Sequence, residues 1–255
     1  MLLGLLFAMI FGSGGEAEFV SSLPKLQKEV RYMIPDEDRR DSILILIDRY
    51  EGAIKDYEKE KARLQKQVNK VSADRSVRSE EFLRYYDEYY QSRVNLISSL
   101  IDYRILFQQQ ITDLELVRVI EDAIVSSAEQ KREKQIQEEK TEDNLNTAFS
   151  EIHDIIVTNI VDPDKSETVT QSFYEFERTM YDYVDTSRDT KADRTASLLI
   201  TNPTRDELEA MYEQSNQLRY QAARDFAVLR EAVIENTNER EWKQINKELK
   251  AFFKL

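Results

Sequence analysis

The stretch "ILILIDRYEGAIKDYEKEKARLQKQVNKV", residues 43–71, decides the fold. Ile43, Ile47, Tyr50, Ile54, Tyr57, Lys61, Leu64, Val68 and Val71 recur at alternating spacings of four and three. That heptad draws one continuous stripe along a helix, the signature of a coiled-coil seam. Only Lys61 interrupts it. The stripe needs a partner surface, supplied either by another part of the chain or by a second copy.

The sequence downstream offers such a surface. A second series runs through Phe82, Tyr86, Tyr89, Arg93, Leu96, Leu100, Tyr103 and Phe107, then Gln110, Leu114, Val117, Glu121, Ile124 and Ala128. Ile97, Ile101, Ile105 and Ile111 widen its apolar face, so this helix is expected to touch more than one neighbour. The intervening "SADRSVRSEE" (72–81) is polar and long enough for a turn, which allows an antiparallel hairpin. Residues 129–144, "EQKREKQIQEEKTEDN", are nearly all polar and read as an exposed helical extension or a linker. A helix continuous from 80 to 140 would be a rod of about 90 Å.

Glycine and proline support an all-α fold. Four of the five glycines lie within the first 15 residues, leaving only Gly52, and no proline falls between Pro35 and Pro163. A sheet protein of 255 residues would need turn residues far more often. The expected architecture is an elongated helical bundle with long coiled-coil-like helices. Ahead of the heptad, Pro24 is expected to open a short helix with Leu26, Val30 and Met33 on its apolar face, and Pro35 to close it. Leu145, Phe149, Ile152, Ile156 and Ile160 mark a further helix. "VDPDKSE" is expected to stop it and to start another at Ser166, which carries Val169, Phe173, Phe176, Met180 and Tyr183. Residues 186–197 read as a loop. Thr204 and Glu207 have the spacing of a capping box. Leu208, Met211, Leu218, Ala222, Phe226, Leu229 and Val233 form the next stripe, and a break at "ENTNERE" precedes a terminal helix with Trp242, Ile245, Leu249 and Phe252. This divides the chain into an N-terminal segment 1–17, a long-helix hairpin or stalk over 18–141, and shorter packed helices over 142–255.

The N-terminal "MLLGLLFAMIFGSGGEAEFV" places an apolar run, Leu2–Phe11, before small residues and then Glu16 and Glu18. Ten to thirteen helical residues reach roughly 15–20 Å, short of the ~30 Å hydrocarbon core, so a full membrane span is not expected. The pattern fits a secretory segment cleaved after Ala17, although no basic residue precedes the apolar run. The alternative is a retained apolar segment, making contact with a membrane only through residues 1–15.

Charge and chemistry narrow the function. The net charge of −13 argues against nucleic acid and against attachment to anionic lipid through a basic face. With no cysteine there is no disulfide, thiolate ligand or thiol nucleophile. His153 is the sole histidine, and its Glu-x-His setting lacks the Glu-x-x-His spacing of di-iron bundles. No phosphate-cradling, zinc or serine-hydrolase motif is present. "DPDKSE" (162–167) has carboxylates but neither the glycine nor the length of a calcium loop, and reads as a helix-capping turn. Neither a cofactor nor a metal is expected.

"RYYDEYYQSR" (84–93) remains. Tyr85, Tyr86, Tyr89 and Tyr90 share one broad helical face, with Tyr86 and Tyr89 in the seam and Tyr85 and Tyr90 beside it. The rings continue a stripe that stays apolar downstream, so they read chiefly as core with hydroxyls at its edge. The competing reading is an aromatic shelf for a ligand. The expected interaction residues are therefore Ile43, Ile47, Tyr50, Ile54, Tyr57, Leu64, Val68, Tyr85, Tyr86, Tyr89 and Tyr90. The expected function is non-catalytic: an exported helical scaffold, adaptor or subunit of an envelope assembly, with other proteins or a second copy as partners. A holdase-type chaperone or ligand-binding bundle with a tyrosine-rich groove is the alternative.

Overall fold

The heptad stripe of residues 43–71 closes on the chain's own second long helix. In the computed structural model, which describes residues 16–112, 114–115, 145–199 and 204–253, α1 is Glu16–Met33, α2 Glu37–Ser72 and α3 Ser79–Gln110. Then follow α4 (residues 145–159), α5 (Pro163–Leu199), α6 (Arg205–Asn236) and α7 (Glu239–Phe253). No strand occurs among the described residues, and the protein is all-α.

At 36 residues, α2 is about 54 Å long. Asp36 caps it by accepting from the Arg39 N–H at 2.9 Å. It runs antiparallel to α3, with the Tyr50 and Tyr103 rings 6.4 Å apart toward one end and Leu64, Val68 and Phe82 sharing the core at the other. Helices α5 and α6 form a second antiparallel pair, and α3 packs on α6 as well as on α2. α4 lies against α5, with the Phe149 ring edge-on to both Phe173 and Phe176.

One apolar cluster includes Ile54, Leu64, Phe82 and Leu96 together with Phe149, Phe173, Phe226 and Trp242. The core is thus not divided between residues 18–141 and 142–255. Val30, Ile34, Ile43, Ile47 and Ile111 form a smaller cluster that docks α1 on the start of α2.

The hairpin turn at 73–78 is held by an exchange of charged side chains. The last carbonyls of a helix have no partner within it, and the macrodipole makes that end negative. Arg230, on α6 and 2 % exposed, reaches this end of α2. It donates to the carbonyls of Val71 (3.3 Å), Ser72 (3.4 Å), Val77 (2.7 Å) and Asp74. Its guanidinium also lies 5.8 Å from the Trp242 ring of α7. In return, Arg75 in the turn donates to the carbonyls of Ile234 (3.0 Å) and Thr237 at the end of α6. The start of α3, which has no side-chain cap of its own, is served by Glu231. Its carboxylate accepts from the Ser79 N–H at 3.1 Å, with the Ser79 hydroxyl at 2.7 Å and Arg78 at 2.5 Å. Burial alone would raise the Glu231 carboxyl, but the Ser79 donors and Arg78 outweigh it, and the net shift is downward. Asn246 of α7 donates to the Ala73 carbonyl at 3.1 Å and completes the joint.

Several expectations need correcting. Pro24 lies inside α1, which already starts at Glu16; it lacks an N–H and crowds the carbonyl four residues before it, yet the helix runs on to Met33. α3 ends at Gln110, because Ile111 is extended (φ −122°, ψ 137°). A capping box then starts afresh: the Thr112 N–H donates to Glu115 at 2.9 Å, and the Glu115 N–H to the Thr112 hydroxyl at 3.3 Å. The 80–140 rod is therefore interrupted at 111. The later stripe positions Val117, Glu121, Ile124 and Ala128, and the polar run 129–144, lie outside the described residues. α5 starts at Pro163 instead of Ser166, with Asp162 accepting from the Asp164 and Lys165 N–H groups at 3.1 and 3.3 Å. Proline suits the first helical turn, where its missing N–H is not needed. The backbone across 186–197 is helical, part of α5 instead of a loop. Its composition is polar but contains no glycine or proline to break a helix.

Three substitutions test this account of the joint and of α2. Arg230→Ala leaves several buried carbonyls without donors and should lower unfolding stability by about 3 kcal/mol in urea titration. Arg230→Lys should recover less than half of that loss, since an ammonium cannot span the same set. Gly52 sits mid-helix, and an added Cβ there would meet nothing within 4 Å. Gly52→Ala should therefore raise stability by about 0.5–1 kcal/mol in the same assay.

Candidate interaction surface and the tyrosine–arginine centre

The eleven expected interaction residues divide by depth. Ile43 and Ile47 are buried against α1. Ile54, Tyr57, Leu64, Val68, Tyr86 and Tyr89 belong to the main core. Tyr50, Tyr85 and Tyr90 are half-buried at its margin. The seam of α2 is thus occupied within the chain, by α3.

The tyrosines form a layer across α2, α3 and α6. Tyr57 and Tyr89 face each other over the seam, the Tyr57 hydroxyl donating to that of Tyr89 at 2.9 Å. The Tyr86 hydroxyl donates to the Arg219 carbonyl of α6 at 2.9 Å. Tyr220 links the layer to its edge: its ring lies 4.9 Å from Tyr90 and 5.9 Å from Tyr86, and its hydroxyl donates to Asp87 at 2.6 Å. Tyr85, Tyr90 and Tyr220 reach the water boundary, Tyr85 with the Arg84 guanidinium 5.0 Å from its ring.

Three arginines are buried within this bundle. Arg230 serves the joint. Arg93, a polar member of the α3 stripe, donates through Nε to Asn216 at 3.1 Å. Arg219 lies 5.1 Å from the Tyr183 ring of α5 and is 5 % exposed. Burial pushes the Tyr86 and Tyr89 phenols well above the ordinary range, although Arg93 and Arg219 pull the other way. Burial likewise raises Tyr90, while Tyr220 is raised first by its bond to the Asp87 carboxylate. Tyr86, Tyr89, Tyr90 and Tyr220 are thus all held on the neutral side.

His153 sits on the outer face of α4, its ring 5.6 Å from the Tyr174 ring and its Nε2 3.1 Å from the Tyr174 hydroxyl. It also touches Phe173 and Asp154. No group of histidines and acids that could hold a metal occurs among the described residues. No helix among them is long and apolar enough to cross a membrane. Large apolar side chains do reach the surface: Val161 (83 %) and Val157 (50 %) beside the α4–α5 turn, and Tyr32 (85 %) and Ile45 at the α1–α2 end. A polar cleft between α5 and α6 is lined by Asp182, Asp185, Thr186, Gln214, Gln217, Leu218 and Gln221.

The sequence reading did not single out Arg75, Arg219, Arg230 or Glu231. A signal was present. Arg219 and Arg230 fall on the α6 stripe at helical spacing from Ala222, Phe226 and Val233, where an arginine interrupts an apolar face. Such a residue is buried only if it has a task there. Comparison with known proteins places none beside this chain: no family model, no characterised protein and no solved structure matches it.

The phenol layer has a consequence at high pH. Folding holds Tyr86 and Tyr89 neutral, whereas in the unfolded chain they ionise near pH 10. The folded state then binds more protons, so stability from this source is complete below about pH 10 and is lost as pH rises. Phenolate absorbance should show these two tyrosines titrating only as far-UV ellipticity collapses. Tyr86→Phe, which also removes the donor to the Arg219 carbonyl, should cost about 1 kcal/mol in urea.

Proposed function

We propose that this chain is a non-catalytic helical structural protein, exported to the cell envelope and acting there as a scaffold, adaptor or assembly subunit. On this reading the body is elongated and coiled-coil-like, and it recognises other proteins through what remains exposed on its helices. The observation that carries the reading is how the charged side chains are spent. Arg75, Arg230 and Glu231 cap helix ends on neighbouring elements and brace the hairpin, so these charges hold the frame together. Such a frame holds surfaces at fixed separations, which is what a scaffold requires.

Partner contact then falls to side chains outside the core. Tyr32, Ile45, Val157 and Val161 are among the exposed apolar points, at the α1–α2 end and the α4–α5 turn. Export rests on the apolar run Leu2–Phe11 and the small residues that follow it. The groove-type chaperone is the weaker reading, because a client-binding shelf needs accessible rings. Tyr86 and Tyr89 are each 1 % exposed.

Fractionation of native cells tests the proposal. The protein should be recovered outside the cytoplasm, with an intact mass lacking residues 1–17, and should migrate in native gels well above its own 30.1 kDa. Recovery as a full-length monomer in the cytoplasmic fraction would overturn it.

A further inference from the structure

We propose that the interior of the bundle at Arg219 is a binding site for a small anionic group, a carboxylate or a phosphate. The Arg219 side chain is 95 % buried by the exposure given above, and its Nε and Nη1 have no hydrogen-bond partner. Its guanidinium lies over the face of the Tyr183 ring at 5.1 Å. No carboxylate among the described residues pairs with it.

That is an unusual way to bury a guanidinium. Moving such a cation out of water costs several kcal/mol, and each buried N–H left without an acceptor adds to the penalty. The other two buried arginines answer this cost. Arg230 donates to four carbonyls, and Arg93 donates to the Asn216 amide. The chain has 49 acidic residues from which an internal counter-ion could be drawn, yet Arg219 has none. A ligand carrying its own negative charge would supply what the fold withholds.

The surroundings suit an anion. Arg93 and Asn216 lie beside Arg219 across the α3–α6 contact, so a second guanidinium contributes to the same positive interior. The Tyr86 hydroxyl fixes the Arg219 backbone by its bond to the carbonyl. Ring faces and aliphatic side chains fill the rest of the layer, a low-dielectric wall in which a charge-assisted hydrogen bond is strong. Asp182 and Leu218, chain neighbours of Tyr183 and Arg219, line the cleft between α5 and α6.

Thermal unfolding of the full chain in sodium acetate, sodium phosphate and sodium chloride, matched for ionic strength, reads this directly. Acetate or phosphate should raise Tm saturably, by roughly 5 °C when well above its Kd, with chloride inert. The more effective anion identifies the ligand as carboxylate or phosphate. The Arg219→Met variant, which fills the same space without charge, should melt cooperatively and lose the response. If that variant fails to fold, the Arg219 Nε–H resonance of the wild-type chain should still shift saturably with the effective anion. Equal melting in all three salts, a response that rises linearly without saturating, or an unchanged response in Arg219→Met would each overturn the proposal.

Discussion

The exchange of arginines across the 73–78 turn is the constraint from which the rest of the bundle follows. Two helices, α2 and α6, end close together, and each is capped by a cation from the other's neighbourhood. Glu231, the residue after Arg230, serves the start of α3 with the opposite sign of charge. Adjacent residues on one helix thus complement a negative and a positive helix end at once, in the sense that the macrodipoles require. Because Arg230 also meets Trp242 and Asn246 meets the Ala73 carbonyl, α7 is bound into the same joint. Four elements far apart in sequence are fixed in relative position by a handful of side chains. Along α3 and α6 the Tyr86–Arg219, Arg93–Asn216 and Tyr220–Asp87 bonds hold the same register.

Away from the joint, apolar stripes do the remaining work. Phe82, Phe176 and Phe226 meet where α3, α5 and α6 converge, with ring centroids 5.5 Å apart for Phe82–Phe226 and 5.7 Å for Phe176–Phe226. The tyrosine layer lies next to this aromatic junction and turns polar groups inward, where hydroxyl-to-hydroxyl and hydroxyl-to-carbonyl bonds satisfy them. "RYYDEYYQSR" is thus a transition from core to margin: two rings fully inside, two on the boundary. Arg84, Asp87 and Glu88 lie outward, Asp87 receiving Tyr220 and Arg84 lying over Tyr85, whereas Arg93 at the end of the stretch is buried.

The elements that could be read from sequence are those with strong periodicity or explicit caps. The α2 heptad, the Leu145–Ile160 stripe, the Val169–Tyr183 stripe and the Thr204–Glu207 box all stand where their spacing put them. Boundaries set by a single residue's backbone were harder to see. Ile111 breaks α3 although it is apolar and fits the stripe, and the box that follows, Thr112-x-x-Glu115, has the same form as the one recognised at 204. Its stripe masked it. Pro24 and the 186–197 segment erred the other way, with breaker-like or loop-like composition taken up into helix. The joint was illegible for a different reason: Arg75, Arg230 and Glu231 act across more than 150 positions of sequence, and nothing local distinguishes them from surface charges except that Arg230 sits on an apolar stripe.

The central claim is that the joint makes α2, α3, α6 and the start of α7 one cooperative unit. Native-state hydrogen exchange tests it most directly. Amides in residues 64–72, 82–90, 222–236 and 242–246 should share one opening free energy, equal to that of global unfolding, and shift together with added denaturant. Exchange of the α2–α3 hairpin through a separate, lower-energy opening while α6 stays protected would contradict the account.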